Sequence, residues 1–129
     1  MQMITSEQQV LLQQQLLIEL SKIKEKVKTR LAVSSKKYLN DLVDQVDYMN
    51  ADVLIDNLML SESHSLSLYK QQIQSIDAAL QGIELGLYGL CSDCEAPLTI
   101  DELLVCPTKQ RCQGCETKYQ QQKVKGYKL

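Results

Sequence analysis

Four cysteines carry the clearest chemistry in this chain of 129 residues. Cys91-Ser92-Asp93-Cys94 is followed, after an interval of seventeen residues, by Cys112-Gln113-Gly114-Cys115. A C-x-x-C turn aims two sulfurs at one point, and Zn²⁺ takes four soft ligands at tetrahedral corners. Two such knuckles at this separation predict a Cys₄ zinc site. Four protein ligands leave no position for a metal-bound water, so the expected zinc is structural and not catalytic. The competing pattern, disulfides, needs an oxidising compartment. The opening residues, Met1 to Gln9, lack the basic and apolar regions of a secretory signal, so a reducing cytoplasm is expected.

Other reactive side chains form no catalytic set. Cys106 lies between the knuckles and off their spacing; it is expected to be a small buried apolar residue. His64 is the single histidine, set among serines, and is expected to face solvent. No Ser/His/Asp, H-E-x-x-H, P-loop or G-x-G-x-x-G pattern occurs, so no enzyme is expected. Carboxylates are the remaining candidates: Asp41, Asp44, Asp47, Asp52 and Asp56 crowd the middle of the chain. Such a group at the end of a rod would reach a metal or a basic site inside a partner. At an exposed turn the same residues would serve only for capping and solubility.

The elements that must position these residues are helices. The chain has no Trp or Phe, two Pro and five Gly, with 44% hydrophobic residues. That composition suits long helices and disfavours a broad sheet. Ser6 and Gln9 read as a capping box. From there to about residue 49 there is no Gly or Pro, and Leu16, Leu20, Ile23, Val27, Leu31, Tyr38, Leu42, Val46 and Met49 recur at helical spacing. A helix of roughly forty residues would span about 60 Å. A second stripe runs from Ile55 and Leu58 through Leu66, Tyr69, Ile73, Ile76, Leu80 and Ile83 to Leu87, with Asp52 as its expected N-cap. Two such stripes predict an antiparallel helical hairpin (coiled coil) with its tip at residues 49–52; a turn at Asn40-Asp41 is the rival.

Gly82, Gly86 and Gly89 weaken and end the second helix. Tyr88, between two of them, is expected to pack at the joint of hairpin and finger. The resulting division is mainly α: residues 1–88 a hairpin, 89–117 a Cys₄ finger, 118–129 a C-terminal helix and tail. Tyr119 and Val124 are expected to dock on the hairpin base, and the last four residues to fray.

Charge is segregated. Residues 22–37 hold seven Lys or Arg against one Glu, and residues 41–62 hold six acids and no Lys or Arg. The net charge is −2. Nucleic-acid binders usually carry a basic footprint, so sequence-specific DNA binding is not expected. No apolar run reaches the eighteen residues of a membrane span.

Residues 86–115 carry a resemblance. Gly86, Tyr88, Gly89, the four cysteines, Leu103 and Pro107 fall in register, without a gap, with the finger pattern of the DksA/TraR family of bacterial transcription factors. That pattern is G-T-Y-G-x-C-x-x-C-G-x-x-I-x-x-x-R-L-x-A-x-P-x-A-x-x-C-x-x-C. This chain has Glu95 in place of a glycine, Glu102 in place of an arginine, and Val105 and Lys109 in place of two alanines. The resemblance implies a coiled coil that enters the secondary channel of bacterial RNA polymerase. It implies acidic tip residues in a D-x-x-D-x-A motif, often acting with ppGpp. Two stretches are candidates for that motif. One is Asn50, Ala51 and Asp52, at the expected tip. The other is the pair Asp41 and Asp44, in Asp41-Leu-Val-Asp44-Gln-Val46. The partner implied is the polymerase, bound by a monomer.

Two further readings stand beside it. A nucleic-acid-binding zinc ribbon would use Lys109, Arg111, Lys118, Lys123, Lys125 and Lys128, with affinity that falls steeply with salt. A structural coiled-coil adaptor, stapled by zinc, would pair with another helical protein and show a mass that depends on concentration.

Overall fold

The computed structural model describes residues 4–58 and 64–126. Among these the elements are helical: α1 (Ser6–Ala32), α2 (Lys37–Asn40), a 3₁₀ segment (Val43–Tyr48), α3 (Ala51–Leu58), α4 (His64–Leu85), α5 (Ile100–Val105) and α6 (Gln113–Gly126). An isolated bridge between Leu90 and Pro97 is the only β pairing among the described residues. No described helix is long and apolar enough to cross a membrane.

The spine is the antiparallel pair of α1 and α4. From α1 it buries Leu12, Leu16, Ile23, Val27 and Leu31; from α4 it buries Leu66, Ile73, Ile76 and Ala79. These are the three- and four-residue steps of one helical face. Helix α1 starts one residue before the expected box: Thr5 Oγ1 accepts from Gln8 N at 3.1 Å, and Gln8 Oε1 accepts from Thr5 N at 2.8 Å.

The expected arm through Met49 does not form. Helix α1 ends at Ala32, without help from Gly or Pro. Local side chains take over the backbone there. Asn40 Nδ2 donates to the carbonyls of Leu31 at 2.7 Å and Ser34 at 3.0 Å. Ser34 Oγ accepts from Lys36 N at 3.2 Å. Ser and Asn compete with helical hydrogen bonding in this way, and the Leu31 carbonyl, which also accepts from Ser34 N at 3.3 Å, gains a shorter bond. The chain then folds back along α1 and buries Leu39, Val46, Ala51, Leu54 and Leu58. Tyr38, assigned to the stripe, is exposed, and its neighbour Leu39 is buried instead.

Residues 49–52 therefore lie beside the spine and not at its end. Lys24 Nζ donates to the Met49 carbonyl at 3.0 Å, and Lys28 Nζ meets Asp47 Oδ2 at 2.9 Å. The basic run of α1 thus faces part of the acidic block within one molecule. The N-cap of α3 is Asn50, whose Oδ1 accepts from Val53 N at 3.0 Å. Asp52, the expected cap, sits two residues too late and faces Asp77 of α4.

At its other end α4 stops on glycine. Leu87 N donates to Gly82 O at 2.8 Å and Gly86 N to Ile83 O at 3.2 Å, with Gly86 at φ +75°. That pair of bonds closes a helix C-terminus around a left-handed residue. The cysteine-rich segment follows directly.

Candidate metal centre

Each knuckle is a tight turn built by its own backbone. Glu95 N donates to Cys91 O at 2.9 Å, and Cys91 N to Ala96 O at 2.9 Å. Ser92 N reaches across to Gln110 O at 2.7 Å, which holds the first knuckle against the approach to the second. The second knuckle opens α6, with Glu116 N bonded to Cys112 O at 2.9 Å.

The fold brings all four predicted ligands together. The sulfurs of Cys91, Cys94, Cys112 and Cys115 lie within 4.8 Å of one another. A tetrahedron with Zn–S bonds of about 2.3 Å has S···S edges of about 3.8 Å; Cys94 and Cys112 stand at 3.8 Å. The donor set is all thiol, and that softness suits Zn²⁺. Electrostatics point the same way. Burial pushes the Cys91 thiol up, but N–H groups from Cys112, Cys94 and Asp93 outweigh it and bring it down to about 6. Hydrogen bonding with Cys112, Cys91 and Cys94 pushes Cys115 up to about 12. One thiolate is favoured, a second beside it is not, and a cation among the four removes that conflict.

Three features tie this centre to the spine. Tyr88 is buried, and its hydroxyl donates to the Pro107 carbonyl at 2.8 Å, joining the end of α4 to the loop between the knuckles. Burial, with Cys106 and Glu19 nearby, pushes the Tyr88 hydroxyl up to about 12. Gly89 sits at φ +87°, and a Cβ there would meet Ile4 Cδ1 at 3.4 Å. Leu98 and Leu103 are buried in the same core as α1 and α4. The expected role of Tyr88 in packing thus includes a hydrogen bond that spacing alone does not reveal.

Other expectations change. Cys106 is exposed, 3.5 Å from Thr108 Oγ1, because it caps the C-terminus of α5 at the surface. Tyr119 does not dock on the hairpin base. Its ring lies 4.0 Å beneath the Arg111 guanidinium. Arg111 also pairs with Asp93 at 3.1 Å and Glu116 at 3.8 Å, so α6 is held to the first knuckle. The Val124 side chain and residues 127–129 fall outside the described parts. His64 is exposed at the start of α4, as expected. Glu95 takes φ +62°, a left-handed conformation at the position where the family pattern has glycine. The pattern itself carried that signal. Glu102, in place of the pattern's arginine, keeps one carboxylate oxygen buried with no hydrogen-bond partner among the described residues.

The acidic candidates separate by position. The cysteines gather near α1's first turns, where Ile4 meets Gly89, so Ala32 marks the remote end of the spine. Asp41 directly follows Asn40, which caps that end, and Asp44 is exposed one turn on. Ala51 is buried, Asn50 is engaged as a cap, and Asp52 lies partway back along α4.

Together these elements make a helical hairpin closed at one end by a four-thiol cluster. Transcription factor DksA2 from Pseudomonas aeruginosa has a similar structure. The TM-score is 0.56 at 20% identity, over 93% of this chain and 87% of that one. The likeness is one of fold. No family model matches the chain, and no curated protein matches it in sequence.

Proposed function

We propose that this chain is a cytoplasmic transcription regulator of the DksA type. It binds bacterial RNA polymerase as a protein partner, through the secondary channel, without reading promoter sequence. Zn²⁺ held by Cys91, Cys94, Cys112 and Cys115 is structural: it fixes the finger that anchors the base of the spine. The role is one of binding, not catalysis.

The observation that carries this reading is a coincidence within one chain. The finger matches the DksA/TraR pattern in register, and the remaining helices share the fold of a transcription factor of that kind over nearly the whole length. Arg111, central to a nucleic-acid-binding ribbon, is engaged by Asp93, Glu116 and Tyr119, which weakens that rival. Position along the spine favours Asp41 and Asp44 as the acids that meet the polymerase, with Asp52 as the alternative. ppGpp is the candidate co-effector.

The test is binding of the zinc-loaded protein to bacterial RNA polymerase in competition with a known secondary-channel factor. Mutual displacement is expected. Asp41→Asn/Asp44→Asn should then abolish the effect on transcription, with and without ppGpp, while Asp52→Asn leaves most of it. Absence of binding, or binding with no displacement, would remove the channel from the proposal.

A further inference from the structure

Helix α1 has a second apolar stripe that its own fold leaves uncovered. Val10, Leu11, Leu17 and Ile18 are 51%, 63%, 47% and 56% exposed. They lie on the side opposite the buried Leu12, Leu16, Ile23 and Val27. A stripe of this kind on an otherwise polar helix marks an interaction surface.

The order of residues along that face says what covers it. At 3.6 residues per turn, Gln14 sits at the centre. Glu7, Leu11, Ile18 and Lys22 run down one flank, and Val10 and Leu17 down the other. A two-fold axis through Gln14, perpendicular to the helix, keeps each flank on its own side and reverses its direction. Leu11 then meets Ile18 of the second copy, Val10 meets Leu17, and Glu7 meets Lys22. Each pair is matched in height to about 1.5 Å, the rise of one residue. Every apolar side chain finds an apolar partner, and both ends carry opposite charges. A parallel pairing would also match the apolar residues, Leu11 with Val10 and Ile18 with Leu17, but it would set Glu7 against Glu7 and leave Lys22 with no opposite charge. Only the antiparallel orientation pairs the charges as well.

We propose that two copies of this chain associate through α1, antiparallel, about a two-fold axis at Gln14. The contact is isologous, so it closes and does not propagate. It spans about 24 Å of helix with four apolar side chains from each copy. An interface this small makes a weak, reversible dimer and not an obligate one. The two spines point in opposite directions, and each copy's remote end stays clear of the contact. This inference does not depend on the polymerase reading.

Sedimentation equilibrium of the zinc-loaded full chain, across the micromolar range, tests it. A mass rising from one chain to two is expected. Leu11→Glu and Leu17→Glu should each raise the dimer Kd tenfold or more, with helicity and zinc content unchanged by circular dichroism and metal analysis. A charge cycle guards against variants that fail to fold. Glu7→Lys alone and Lys22→Glu alone should each weaken the dimer about fivefold, and the two together should restore it. A single-chain mass at every concentration, or a double variant no better than the single ones, overturns the proposal. So does a protein that stays monomeric but loses polymerase binding through Leu17→Glu. That last result would assign the stripe to the polymerase.

Discussion

Glu95 is the residue at which local and global demands conflict. The first knuckle needs a left-handed residue after Cys94, and an L side chain there costs about 1–2 kcal/mol. Glu95→Gly should therefore stabilise the finger by about 1 kcal/mol, part of the gain being offset by the extra freedom of glycine when unfolded. Thermal unfolding of the zinc-loaded protein measures this, and an unchanged or lower Tm would reject the assignment of strain. Tyr88 behaves in the opposite sense, as a residue that satisfies several demands together. Its hydroxyl is held above its ordinary value of 10.0, up to about 12, chiefly by burial. A raised value means the protonated phenol is the form that favours folding. Its contribution is complete below pH 10 and is lost as pH rises toward 12. Tyr88→Phe should cost about 1 kcal/mol at neutral pH through the lost bond to Pro107. It should also remove that part of the alkaline loss, as seen in urea titrations at neutral and alkaline pH.

Among the elements, the return segment from α2 to α3 depends on a few polar contacts at its ends. Asn40 closes the C-terminus of α1 with bonds to Leu31 and Ser34. Asn40→Ala leaves both carbonyls without that donor and should cost about 1–2 kcal/mol in urea unfolding. A loss below about 0.5 kcal/mol would mean that water replaces the side chain at no penalty. Where α3 crosses α4, the contact between Asp77 and Asp52 works against docking. The Asp77 carboxyl is raised above 3.8, first by burial and then by Asp52. Folding thus favours the protonated acid, a contribution present at low pH and lost as pH rises through the raised value. Asp77→Asn should raise Tm at neutral pH and flatten its fall between acid and neutral conditions. A Tm lowered at neutral pH would show that Asp77 is stabilising there. The buried apolar residues Leu54, Leu58 and Ala51 supply the docking energy that this pair opposes.

For the molecule as a whole, the proposed Zn²⁺ and the fold are linked. Four thiols within 4.8 Å have little reason to stay together without a cation, and the energy of binding one becomes folding energy for the finger. Cys91→Ser or chelation should unfold residues 89–117 and free α6. The α1–α4 spine, held by its own apolar residues from Leu12 to Leu31 and from Leu66 to Ala79, should keep most of its helicity. Circular dichroism with metal analysis tests this. An unchanged spectrum together with full zinc retention would exclude the four-cysteine site. A complete loss of helix would mean that spine and finger fold as one cooperative unit.

Much of this protein was legible in the residues alone, because the relevant forces are local. The clustering of the four cysteines followed from the reach of two C-x-x-C turns. The all-helical class followed from composition, and the spine from apolar periodicity within α1 and α4. The glycine stop at Gly86 followed from the need for a left-handed residue. Tertiary structure decided the middle of the chain. Between residues 33 and 58 the apolar spacing suits a straight helix as well as a folded-back segment, and periodicity cannot choose between them. The choice fell to contacts distant in sequence: Asn40 on the end of α1, Lys24 and Lys28 on Met49 and Asp47, and Leu54 and Leu58 against the spine. Cys106 and Tyr119 were misplaced for the same reason. Whether a side chain is covered depends on what the rest of the chain brings over it, and spacing along one element holds no record of that.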